Sequence, residues 1–249
     1  MLIGMNAIIG RGIKAVDGDI GEVRDILFDD RQWVIRYLVA ETSPWFTSTQ
    51  VLLAPRCFQH VNWYGSSYPV DLTVQEVKDS PHVSSVMTVS RQEEERLVRY
   101  YGWPEYWNVR AQERRPLAGL EAGTRVAVAQ QDASPALRSA QEVLGYTVSA
   151  QGVAAGTVED LIFDDLCWQL RYVVVDARTL LPGKRTLVSP EWIDEVNWNE
   201  TEMRVALSSE SVKNAPGYNP SQALTREYEE MLCDYFGTGK YWELRKKQL

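Results

Sequence analysis

The chain has 249 residues, 45% of them apolar, enough to fill two domain cores of ordinary size. Lys and Arg total 26 against 34 Asp and Glu, a formal charge of −8, so no overall positive field draws the protein toward phosphates. Cys57, Cys167 and Cys233 are far apart and form no CxxC pair. With no basic leader in "MLIGMNAIIGRG", the expectation is a cytoplasmic protein with reduced thiols and no transmembrane segment.

In chain order, the turn residues "VDGD" (Val16 to Asp19) predict an early hairpin, and "GEVRDILFDD" followed by "RYLVA" predicts a second. A loop over Asp29 to Gln32 sets Phe28 opposite Trp33, Ile26 opposite Ile35, Leu27 opposite Val34 and Asp25 opposite Arg36. An acid facing a base between apolar neighbours reads as a partly desolvated structural ion pair, Asp25 with Arg36. The neighbouring aspartates Asp29 and Asp30 read as turn formers rather than cation ligands, since no EF-hand spacing surrounds them. Trp45, in "SPWFTS", is an aromatic in polar company and a candidate interaction residue. Cys57 and His60 stand three residues apart, a weak signal for a nucleophile with its base. "SRQEEERLVRYYG" has a capping box at Ser90 and Glu93, an apolar side at Leu97, Tyr100 and Tyr101, and a left-handed stop at Gly102: a helix of about three turns. Its tail "GWPEYW" adds Trp103, Tyr106 and Trp107, which read as packing for the helix and, secondarily, as recognition residues.

The chain then repeats itself without a gap. Gly21 becomes Gly156 at a shift of 135 positions, and the same shift carries Trp33 to Trp168, Pro55 to Pro190, Arg91 to Arg226, and Tyr106 with Trp107 to Tyr241 with Trp242. One unit spans about Ile8 to Trp107 and its copy Val143 to Trp242, too long a period for a solenoid. The second helix is capped by Thr225 and stopped at Gly237, and the second ion pair joins Asp160 and Arg171. The expected division is a first domain over 1–112, a linker over 113–130, and a second domain over 131–249. Both hairpin faces carry apolar residues, which predicts closure of each unit into a small barrel. The expected fold is therefore mostly β: two tandem small antiparallel β-barrels, each followed by a short C-terminal helix.

The chain resembles the PRC-barrel family in "GEVRDILFDD" with "RYLVA", Pro55 before "VNW", "VKDSP" and "YYGWPEYW". The copy has the same order in "GTVEDLIFDD", "RYVVV", "VSPEWIDEVNW", "VKNAP" and "YFGTGKYW". The resemblance implies a small antiparallel barrel that serves as a surface for other macromolecules. Members similar to it include the soluble part of the photosynthetic reaction-centre H subunit and the barrel domain of a ribosome-maturation factor.

His60 and His82 are the only histidines and are replaced by Glu195 and Gly217 in the copy, and no phosphate loop, GxSxG, HExxH or dinucleotide fingerprint occurs. These residues predict a protein without enzymatic activity, cofactor or metal, acting as an interaction or scaffold protein. Its partner is expected to be another protein, with homodimer formation and peripheral membrane association both compatible. The alternatives are an RNA-linked role, which would use Arg110, Arg114, Arg115 and Arg125, and a role as a photosynthetic or membrane-associated accessory protein.

Overall fold

The computed structural model describes residues 1–42, 50–58, 61–83, 89–108, 136–177 and 184–246. Trp45, His60, Arg110 and the expected linker with Arg114, Arg115 and Arg125 lie outside the described residues. The polypeptide divides into two units that cross the repeat boundaries: Ile8–Ser139 form one, and Met1–Ala7 together with Ala140–Leu249 form the other. The division therefore differs from the expected one by two short segments. Residues 1–7 belong with the second repeat, and 136–139 with the first.

β1 (Leu2–Gly4) thus belongs to the repeat-two unit. The repeat-one unit holds β2 (Gly12–Lys14), β3 (Asp19–Asp29), β4 (Val34–Thr42), β5 (Gln50–Leu53), β6 (Ser67–Pro69) and β7 (Leu137–Ser139), with helices α1 (Val74–Lys78) and α2 (Arg91–Tyr101). β3 pairs antiparallel with β2, β4 and β7, β4 pairs with β5, and β6 runs parallel to β2. The repeat-two unit holds α3 (Ala140–Val143), β8 (Thr147–Ala150), β9 (Val153–Asp164), β10 (Gln169–Asp176), β11 (Arg185–Val188), β12 (Ile193–Asn197) and β13 (Glu202–Val205). Helices α4 (Ser209–Asn214), α5 (Arg226–Phe236) and α6 (Tyr241–Lys246) follow. Its ladder runs β12-β13-β8-β9-β10-β11, with β1 also on β9.

Within each unit the strands form an open ladder, and with six α-helices among the described residues the architecture is mixed α/β. The expectation of a mostly-β fold of two closed barrels does not hold. The apolar residues that suggested closure are covered by a helix instead. In the repeat-one unit Leu27, Tyr37, Val39 and Leu52 pack with Leu97 of α2, and in the repeat-two unit Ile162, Tyr172, Val174 and Leu187 pack with Leu232 of α5. A helix laid on a sheet buries the same apolar face that closure would have buried.

Hairpin register also differs from the sequence expectation. Asp29 pairs with Val34 and Phe28 with Ile35, so the four-residue loop is Asp30 to Trp33, one position later than expected. Trp33 takes the left-handed conformation, φ 54, and donates its N–H to the Asp29 carbonyl at 2.8 Å. A register shift between Leu27 and Phe28 then leaves Arg36 between the paired residues Ile35 and Tyr37, and Asp25 lies opposite Val39 rather than Arg36. Trp168 repeats the turn with φ 57, and a shift at Leu170/Tyr172 leaves Arg171 in the same place. Such bulges turn one side chain out of the alternation of its strand. The predicted stacking of Phe28 with Trp33 occurs all the same, with ring centroids 5.2 Å apart, and Phe163 with Trp168 repeats it at 5.5 Å.

Candidate functional site

The helices that cover the sheets form as their residues dictate. Ser90 and Glu93 close a capping box on α2, and Gly102 ends it at φ 66; Thr225 caps α5, and Gly237 ends it at φ 66. In the first turn of each, an arginine and a glutamate three positions apart share one side of the helix. Glu94 is only 2% exposed. Its carboxylate accepts from Arg91 Nη1 at 2.6 Å, Tyr106 Oη at 2.7 Å and Tyr37 Oη at 3.2 Å.

Two arginines enclose the tail aromatics. The Arg36 guanidinium lies 4.0 Å from the centre of the Tyr106 ring, and Arg91 lies 4.2 Å from that of Trp107. The second repeat reproduces each contact at the constant shift. Glu229, also 2% exposed, accepts from Arg226 at 2.7 Å and from Tyr241 and Tyr172 at 2.9 Å each. Arg171 lies over Tyr241 at 3.9 Å and Arg226 over Trp242 at 4.2 Å.

Burial raises the carboxyls of Glu94 and Glu229 above the ordinary range, opposed by the tyrosine hydrogen bonds and the arginines. Burial beside those carboxylates also raises the phenols, Tyr241 to about 12. A buried carboxylate with two phenols on one oxygen and a guanidinium on the other has both oxygens engaged, so the cluster clamps helix and tail onto the hairpin. The candidate residues Tyr106 and Trp107 pack together in the clamp of the first repeat, and Tyr241 and Trp242 in that of the second. Trp103 touches the clamp through Tyr37, with ring centroids 6.5 Å apart, and is stacked on Tyr101 with centroids 4.2 Å apart and planes 9° from parallel.

The expected ion pairs are exchanged for others. Arg36 bonds Asp29 Oδ2 at 3.1 Å and Arg171 lies 3.6 Å from Asp164 Oδ2, because the bulges carry both arginines toward the turn. Asp29 also accepts from the N–H groups of Arg31 and Gln32, each at 3.0 Å, which makes it a turn former as its sequence context suggested. Asp25 instead accepts from Ile26 N at 2.7 Å and Ser139 Oγ at 2.5 Å, and Asp160 from Leu161 N at 2.8 Å and Asn6 N at 3.0 Å. Burial lifts the Asp160 carboxyl to about 6.

Sequence reasoning missed Glu94, Arg91 and Tyr37 with their counterparts Glu229, Arg226 and Tyr172. The available signal was that R-x-x-E recurs in both helices at the same shift as the tail "YW", among neighbours that changed.

The repeat-one unit also holds a groove of about 550 Å3. Cys57 and Leu72 form its buried part, Tyr101 and Trp103 line it, and Arg56, Asp71 and Glu76 stand at its exposed margin. At the matching position of the second repeat, Trp192 replaces Cys57, and its indole packs on Phe236 with ring centroids 4.5 Å apart. Burial pushes the Cys57 thiol up to about 12, away from the thiolate form that a nucleophile uses, and His60 lies outside the described residues.

No protein-family model matches the chain, and no curated protein matches it. Among the described residues no helix is long and apolar enough to cross a membrane.

Proposed function

We propose that the protein is a noncatalytic interaction protein of the cytoplasm, a duplicated chain that resembles the PRC-barrel family in sequence and whose first repeat receives an extended segment of a protein partner in the Cys57–Trp103 groove. The observation that carries this reading is the divergence of the two repeats at one place: a groove where the first has Cys57, an indole packed on Phe236 where the second has Trp192. The helix clamps, by contrast, are kept alike in both.

The lining suits a peptide. Trp103 and Tyr101 offer aromatic surface, and the mixed charges of Arg56, Asp71 and Glu76 suit amides and side chains of either sign better than a phosphate chain. None of Cys57, Cys167 and Cys233 forms a disulfide, which supports a reducing compartment.

The test is to give the first repeat the residues of the second. Cys57→Trp with Trp103→Thr in the full chain is expected to leave the circular dichroism spectrum unchanged and to abolish retention of the partner captured by the wild type from the source organism. Retention of the same partner by the folded double variant would overturn the assignment of the groove.

A further inference from the structure

Each unit is completed by the first strand of the other repeat, and the two seats are the same seat. On β9, Leu2 lies opposite Asp164, Ile3 opposite Phe163 and Gly4 opposite Ile162; on β3, Leu137 lies opposite Asp29, Arg138 opposite Phe28 and Ser139 opposite Leu27. Every member of the first set becomes its partner in the second through the shift of 135 positions.

Side chains fasten both strands. Asp160 accepts from Asn6 N, and Asn6 Nδ2 donates to the Glu159 carbonyl at 3.1 Å. Asp25 accepts from Ser139 Oγ, while Asp30 accepts from Ala136 N and donates its own N–H to the Ala136 carbonyl, both at 3.1 Å. Ile3, Met5 and Leu137 are buried where they seat. A Cβ at Gly4 would come within 2.6 Å of Asp160 Oδ2, so the seat on β9 is shaped to the strand it holds.

We propose that the free edge of β3 and of β9 is a docking site whose occupant is the first strand of another copy of the same repeat, a self-association site satisfied within this chain by reciprocal exchange. Added strands bind through backbone hydrogen bonds, with alternate side chains supplying selectivity. Nothing in such a ladder requires acceptor and donor to share one covalent chain. The proposal is independent of the groove.

The experiment converts the exchange into an encounter between two chains. A specific protease site placed between residues 113 and 130 of the full chain is cut after folding, and the products are followed by size-exclusion chromatography and native mass spectrometry. The expected result is a 1:1 complex with the mass of the uncut protein. Gly4→Val, and separately Ser139→Ala, is expected to weaken that complex at least tenfold while the uncut variants keep the wild-type circular dichroism spectrum. Separation of the wild-type fragments into monomers would overturn the proposal. So would a complex whose affinity neither variant changes, since the fragments would then be held elsewhere.

Discussion

A carboxylate with almost no exposure is tolerable only while its partners are present, and Glu94 has three. Removing it in Glu94→Ala leaves the buried Tyr37 phenol without its acceptor and frees Tyr106 and Arg91 from the helix, a change expected to cost about 2 kcal/mol. Urea denaturation should show this as a lower midpoint with little change in slope, and Glu229→Ala should behave alike. Asp160 is a residue of the opposite temper. Burial lifts its carboxyl to about 6, above the ordinary 3.8. A raised pKa means that the folded state binds the proton more tightly, so this group's stabilisation is complete below the unfolded pKa and is lost as pH rises through about 6. From pH 4 to pH 8 the wild type is expected to lose about 2 to 3 kcal/mol relative to Asp160→Asn, which has no such group to titrate. Equal pH slopes for the two proteins would contradict the burial of that carboxyl.

Among the elements, the helices were the most legible. Ser90, Glu93 and Gly102 mark the first, and Thr225 and Gly237 the second, because caps are local chemistry that a few adjacent residues can specify. The hairpin was legible as a hairpin but not in register. Nothing in "FDDRQW" announces that a tryptophan will take a left-handed conformation, or that a bulge will follow it, and two such shifts were enough to move Asp25 from Arg36 to Val39. Glycine gives a sharper element-scale test. Gly21, at φ 156, lies so close to the opposing strand that a Cβ would sit 1.9 Å from the Glu41 carbonyl oxygen, and Gly156 repeats this at 2.4 Å from that of Asp176. Gly21→Ala must therefore push β3 and β4 apart, with an expected loss of about 2 kcal/mol or more. Hydrogen exchange should locate it by faster exchange at the Glu22 and Glu41 amides than at those of β5.

For the whole molecule, the duplication was plain in the sequence and the open sheet was not. Apolar residues on both faces of a strand say that both must be covered, but the helix that covers one of them lies more than fifty residues further on, as the bond from Tyr37 to Glu94 illustrates. The groove was hidden for a related reason. Cys57 was visible as an unrepeated residue, but that its counterpart is a packed indole became apparent only once Trp192 was seen against Phe236. Strand exchange leaves no mark in the sequence at all, since two like repeats compose the same ladders whichever copy supplies the edge.

Exchange also sets a schedule for synthesis. β1 leaves the ribosome well before β9, the edge that receives it, is complete at Asp164, and the repeat-one unit waits for Ser139. A chaperone able to hold a short apolar strand, or a ribosome pause before residue 136, would act on a half-made chain whose first repeat still lacks its last strand.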